Sequence, residues 1–224
     1  MSVNQWEVRQ IEDGIQLAKE VADWPRTGVS TVNLAYNLFL CAGLLLLDGN
    51  RDRSDALLSD VEELGERTGD SLPILLSLGG ANIRRYMDGL LEDCVEGTKR
   101  AADKAEELGS PVMGGLLDAA SNFRALLDLG RVEEALAATD QMLPSDSLAR
   151  TICLVHVGRR AEAQGTLDEL ARRLNVETET DGMRWVVLNW MMELAILLAD
   201  RDVVEALAPR LAGLDKYVPQ RVRT

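Results

Sequence analysis

Residues 81–89, ANIRRYMDG, and residues 121–130, SNFRALLDLG, are two versions of one segment. Asn82 and Asn122, Arg84 and Arg124, and Asp88 and Asp128 each stand forty residues apart, with apolar residues at matched places between them. Asp48 falls forty residues before Asp88. A fixed period of this length marks a repeat protein, in which each supersecondary unit buries its apolar face only by stacking on its neighbours.

Working outward, nearly every stretch between glycines and prolines carries apolar residues at i, i+3, i+4 and i+7, and no alternating β-branched run occurs. The chain therefore reads as all-α, with about eleven helices. Ile11, Ile15, Ala18 and Ala22 stripe the first helix, and a second is expected to begin near Ser30. Gly49, Gly69, Gly109, Gly130 and Gly158 sit just past periodic runs, as left-handed C-cap glycines do. Ser71 before Pro73 and Ser110 before Pro111 look like capping residues ahead of a first-turn proline. A small residue follows each turn, at Ala56, Cys94, Ala135, Ala163 and Ala206, where two helices of a hairpin would approach closely.

The segments ALLDLGRVEEALAATDQML (125–143), LVHVGRRAEAQGTLDEL (154–170) and LLADRDVVEALAPRL (197–211) resemble the tetratricopeptide (TPR) repeat, in which a Gly-polar turn joins two helices and an Ala follows five residues later. The units here run to about 40 residues where the family's repeat has 34, and Arg201 aligns with Gly130 and Gly158. Longer repeats of this kind resemble the helical arms of MalT-type and LuxR-family ATP-dependent regulators and of multidomain adenylate cyclases. The resemblance implies a right-handed superhelix, an α-solenoid of stacked TPR-like hairpins, over residues 1–213, with 214–224 as a tail. The P-loop GxxxxGK[ST] of such regulators is absent from these residues, as is a basic helix-turn-helix after Pro219.

With 224 residues, 46% apolar and 27% charged, the chain has ordinary globular composition and length enough for a large core. Its net charge of −13 disfavours nucleic acid or an anionic membrane as direct partner. Three scattered cysteines without a CxxC indicate neither a disulfide scaffold nor a zinc module and fit a reducing cytoplasm. No signal peptide is read at the N-terminus, and the most apolar run, Leu38 to Leu47, is half of the ~20 residues a membrane span needs. A second apolar run, Trp185 to Ala199, is interrupted by Asn189 and Glu193.

Catalytic signals are sparse. One histidine, His156, excludes HExxH and a Glu-x-x-His di-iron bundle and reads as a helix C-terminal residue. The cysteines read as small packing residues, and the acidic pairs Glu62–Glu63, Glu106–Glu107 and Glu133–Glu134 as solvated faces. No catalytic residue, metal ligand or cofactor is assigned. On the helix around Phe123, Leu116, Ala120, Phe123 and Leu127 form the core stripe, leaving Asp118, Ser121, Asn122 and Asp128 on another face, with Arg124 at its margin. Asn82, Arg84, Arg85 and Asp88 repeat that face one unit earlier, so the binding residues expected in the inner groove are Asn82, Arg84, Arg85, Asn122, Arg124 and Asp128. The competing account makes Arg84–Asp88 and Arg124–Asp128 surface i,i+4 pairs worth about 0.3 kcal/mol each.

The function expected is that of a non-enzymatic interaction or sensor domain, binding a protein segment or small effector on its concave face in bacterial signalling or transcription regulation. Twenty arginines against four lysines fit a GC-rich bacterial gene. Two alternatives stand beside it: a self-assembly module pairing two copies through Trp185, Trp190 and Met191, and an enzyme with an interhelical cleft using Arg84 or Arg85, Tyr86 and Asp88.

Overall fold

Residues 10–111, 122–139, 147–174 and 185–212 are described by a computed structural model. Among the described residues there are eleven helical segments and no strand: α1 (Ile11–Ala22), α2 (Thr31–Leu47), α3 (Arg51–Thr68), α4 (Ser71–Met87), α5 (Leu91–Glu107), α6 (described over 122–128), α7 (Val132–Thr139), α8 (Ser147–His156), α9 (Arg160–Arg173), α10 (Trp185–Leu198) and α11 (Arg201–Leu211). The expectations placed on Leu116, Asp118, Ala120, Ser121 and the tail lie outside these residues, as does the side chain of Trp185.

One turn occurs six times among the described residues: once after α5, where Gly109 (φ +68°) bonds to the Glu106 carbonyl and Ser110 to that of Ala105, and five times inside a helix pair. Gly49, Gly89, Gly130 and Gly158 take φ values of +74°, +74°, +75° and +83°, and Ala199 takes +59°. In each turn the left-handed residue's amide bonds to the carbonyl three residues back, and the next amide bonds to one five residues back, as in Gly89 to Tyr86 and Leu90 to Arg85. This is a Schellman-type ending, which needs φ > 0 and so favours glycine. It joins α2 to α3, α4 to α5, α6 to α7, α8 to α9 and α10 to α11, at intervals of 40, 41, 28 and 41 residues. Ala199, not Arg201, holds the fifth turn's left-handed place.

Five residues beyond each turn glycine stand Ser54, Cys94, Ala135 and Ala163, all buried. The Ser54 hydroxyl donates to the Ala42 carbonyl at 2.8 Å, and the Cys94 thiol donates to the Asn82 carbonyl at 3.6 Å, one repeat later. These contacts correct two small-residue expectations. Ala56 is exposed, because Ser54 occupies the contact instead, and Ala206 is half-buried, while Val203 and Leu207 pack inward. Ser71 likewise opens α4 rather than capping it, and Asp70 is the N-cap residue.

Each helix packs on its sequence neighbour wherever both are fully described, and α2 packs on α4 as α8 does on α10. Three apolar clusters follow. The first joins α1, α2 and α3; the second centres on Cys94, Phe123, Ala135 and Cys153; the third joins α8 to α11. Leu211, at the end of α11, packs against both the first and the third. Among the described residues no helix is long and apolar enough to cross a membrane.

Candidate functional site

Calling α2, α4, α6, α8 and α10 the first helices and α3, α5, α7, α9 and α11 the second, charge divides unevenly between the two rows. No charged residue lies on α2, only Arg84 and Arg85 on α4, and only Glu193 on α10, whereas α3 and α5 carry six acidic and three basic residues each. The first-helix row is the less acidic surface and contains all six residues expected to bind.

The expected Asn–Arg ladder is not what these residues build. Asn82 and Asn122 are 2% and 9% exposed, so they belong to the interior and not to a groove lining. Asn82 lies between α4 and α5, its Nδ2 donating to Thr98 Oγ1 at 3.3 Å while its Oδ1 accepts from Arg85 Nη1 at 2.7 Å. The room for it exists because residue 97 is glycine: a Cβ there would stand 2.1 Å from Asn82 Oδ1. A buried amide without such partners would cost several kcal/mol, so Thr98 and Arg85 are what make the placement tolerable.

The arginines form pairs that sequence spacing did not suggest. Arg84 lies 3.8 Å from Glu62 of α3. Arg124 forks onto both carboxylate oxygens of Glu193, 69 residues along, and stacks 5.1 Å over the Phe123 ring. Burial alone would lower the Arg124 pKa, but the bonds to Glu193 and its charge, with Tyr86 and Asp128 nearby, hold the guanidinium above its ordinary value. Asp128 accepts from the Tyr86 hydroxyl at 2.6 Å. Tyr86, Arg124, Asp128 and Glu193 thus gather on α4, α6 and α10, and the edge-on Phe123–Trp190 contact at 5.6 Å supports them from within.

One of these residues was legible and not used. Glu193 is the lone charge of WVVLNWMMELAILL, and a charge in so apolar a helix requires a partner. Tyr86 follows the Arg84–Arg85 pair directly, but nothing in its spacing points forty-two residues on to Asp128.

The forty-residue aspartates have a different role: each is held by the preceding part of the chain. Lys19 reaches Asp48 at 2.8 Å, Arg51 reaches Asp88 at 2.6 Å, and Tyr86 reaches Asp128. Arg131–Glu92 at 3.1 Å and Gln164–Asp200 at 2.7 Å add links between neighbouring hairpins. Exposed pairs of this kind add little to stability, because water screens them, so they set register more than stability.

For chemistry, Asp88 is bound by Arg51 and Tyr86 by Asp128, so the residues weighed for an interhelical enzyme cleft are engaged with other partners. Burial raises the thiol pKa of Cys41 and Cys94 and takes that of Cys153 to about 11, which disfavours the thiolate. His156 is exposed at the end of α8. Met191 is fully buried and Trp190 packs on Phe123, so both are used within the chain. No protein-family model matches this sequence, and no curated protein or solved structure matches it either.

Proposed function

We propose that this chain is a TPR-like helical-repeat platform, without catalytic activity of its own, that takes a protein segment or small effector on its first-helix row. Regulation in a bacterial cytoplasm is the setting this reading implies. The observation that carries it is the recurrence of one hairpin turn at 40, 41, 28 and 41 residues, with first helices packed on each other at α2–α4 and α8–α10. Hairpins repeated in this way wind into a right-handed solenoid whose first helices share one continuous surface. That row is also where charge is scarce and where Tyr86, Arg124, Asp128 and Glu193 gather.

A photo-crosslinking residue at Arg84, on the first-helix row, and another at Arg100, on the second, test the assignment in cells that express the chain. A discrete adduct from position 84 and none from position 100 is expected. Adducts from position 100 alone, or the same ones from both, would overturn it. Native mass spectrometry of the purified chain reports a retained small effector in the same preparation.

A further inference from the structure

The outer face of α1 alternates acidic and apolar side chains. Asp13, Leu17, Glu20 and Trp24 stand at i, i+4, i+7 and i+11, so they share one side of the helix, and all four are exposed. Trp24 lies just past the helix, where its amide bonds to the Val21 carbonyl at 3.1 Å. Arg26 fixes the backbone there, donating to the carbonyls of Val21, Ala22 and Trp24 and reaching Asp60 of α3 at 3.0 Å. The indole so presented is 56% exposed. Of the six large apolar side chains exposed among the described residues, four, Leu17, Trp24, Val29 and Val32, fall between α1 and the start of α2. An apolar group gathered in this way and rimmed by charge marks a contact surface.

Charge decides what suits this surface. Lys19, the only base of α1, is turned to Asp48 at 2.8 Å, so Asp13 and Glu20 leave the face negative. A chain of net charge −13 is for the most part repelled by it. Residues 214–224, LDKYVPQRVRT, are the exception, with three bases against one acid and with Leu214, Tyr217, Val218 and Val222 among them. They also begin in the right place, because Leu211, three residues before, packs on the first apolar cluster, which α1 helps to build. These eleven residues span up to about 40 Å when extended, and the twelve residues of α1 about 18 Å, so the segment reaches the whole face. We infer that residues 214–224 dock on the outer face of α1 within the same chain, Tyr217 and Val218 covering Leu17 and Trp24 while Lys216, Arg221 and Arg223 answer Asp13 and Glu20.

Docked in this way the segment straps the last hairpin to the first. Leu211 already brings the end of α11 against both the first and the third apolar cluster, and the strap extends that single contact across α1. Both ends of the array are then held together, which limits how far the hairpins can uncurl. Because the segment is tethered, its effective concentration at α1 is on the order of millimolar, so a contact too weak to hold a separate peptide holds here. At physiological ionic strength the Debye length is about 8 Å, so Asp13 and Glu20 act on the bases beside them while the chain's distant acids are screened. The strap is independent of what the first-helix row binds.

The test places p-benzoylphenylalanine at position 17 of the full chain, an exposed site that leaves Trp24 intact. On illumination, the adduct expected joins residue 17 to residues 214–224 within one monomer, as mapped by peptide mass spectrometry. Trp24→Ser should lower its yield about tenfold, as loss of a central aromatic anchor does. Lys216→Glu, Arg221→Glu and Arg223→Glu together should abolish it. Adducts that link two chains would give the face to a second copy, and adducts only to other residues, or none at all, would place the segment elsewhere. An unchanged yield in the charge-reversed chain would remove the charge match, and each of these results overturns the strap. Should Trp24→Ser fail to fold, the charge-reversed chain decides alone, because its substitutions lie outside the three apolar clusters. Adducts from position 84 report the first-helix row separately, so either reading can fail without the other.

Discussion

Replacing Gly97 by alanine sets two effects against each other, and the packing decides between them. In a helix interior alanine is favoured over glycine by about 1 kcal/mol. In α5, however, the new Cβ would stand 2.1 Å from Asn82 Oδ1 and 2.7 Å from Arg85 Nη1. Asn82 would have to rotate, and at 2% exposure it has no solvent to rotate into. The Arg85–Asn82 and Asn82–Thr98 hydrogen bonds would be given up. The first, to a charged donor, is worth about 1.5–3 kcal/mol and the second about 1, so after the helix gain the net loss is about 2 kcal/mol. In a chain of this size that lowers the melting temperature by roughly 4–8 °C. Gly165 is the internal control, since a Cβ there meets nothing within 4 Å, so Gly165→Ala in α9 should raise the melting temperature by roughly 2–4 °C. In an Asn82→Ala background the obstruction is gone, and Gly97→Ala should there become neutral or stabilising. Thermal melts followed by circular dichroism read the wild type and the four variants. A Gly97→Ala variant that melts at or above wild type while Gly165→Ala behaves as expected would refute the placement of Asn82 against α5.

Two further outcomes follow from the backbone and the thiols. Ala199 is exposed with φ at +59°, so Ala199→Gly should relieve about 1 kcal/mol of strain, partly offset in the unfolded chain, and a lowered melting temperature would contradict that reading. Burial raises the Cys153 pKa from 9.0 to about 11, so the unfolded chain loses the thiol proton first: the contribution is fully present below pH 9 and is lost as pH rises to about 11. Urea unfolding between those limits should show stability falling with pH, and Cys153→Ala should flatten the slope. An equally steep slope in the variant would remove Cys153 as its source.

Sequence alone determined the helices and the turns that end them, because both are local. A residue at φ > 0 is nearly always glycine, so Gly49, Gly130 and Gly158 announce their turns, and the forty-residue recurrence of Asp48, Asp88 and Asp128 announces the repeat. The small contact residue was only half legible. Cys94, Ala135 and Ala163 are small and apolar, but Ser54 is polar, and its burial is tolerable only because the Ala42 carbonyl stands opposite its hydroxyl.

Tertiary structure decided which way the polar residues face. Asn82 and Arg84 are two positions apart on one helix and therefore point roughly 200° apart, so a motif that reads as one ladder is divided between the hairpin interior and the Glu62 side of α3. Arg124–Glu193 lay beyond sequence reasoning for a related reason: a pairing 69 residues long depends on how far successive hairpins turn, and the 28-residue spacing between the Gly130 and Gly158 turns breaks the otherwise even period there. Local periodicity specifies an apolar stripe on each helix, while the rotation between units, set by the packing of whole side chains, selects which distant charges meet.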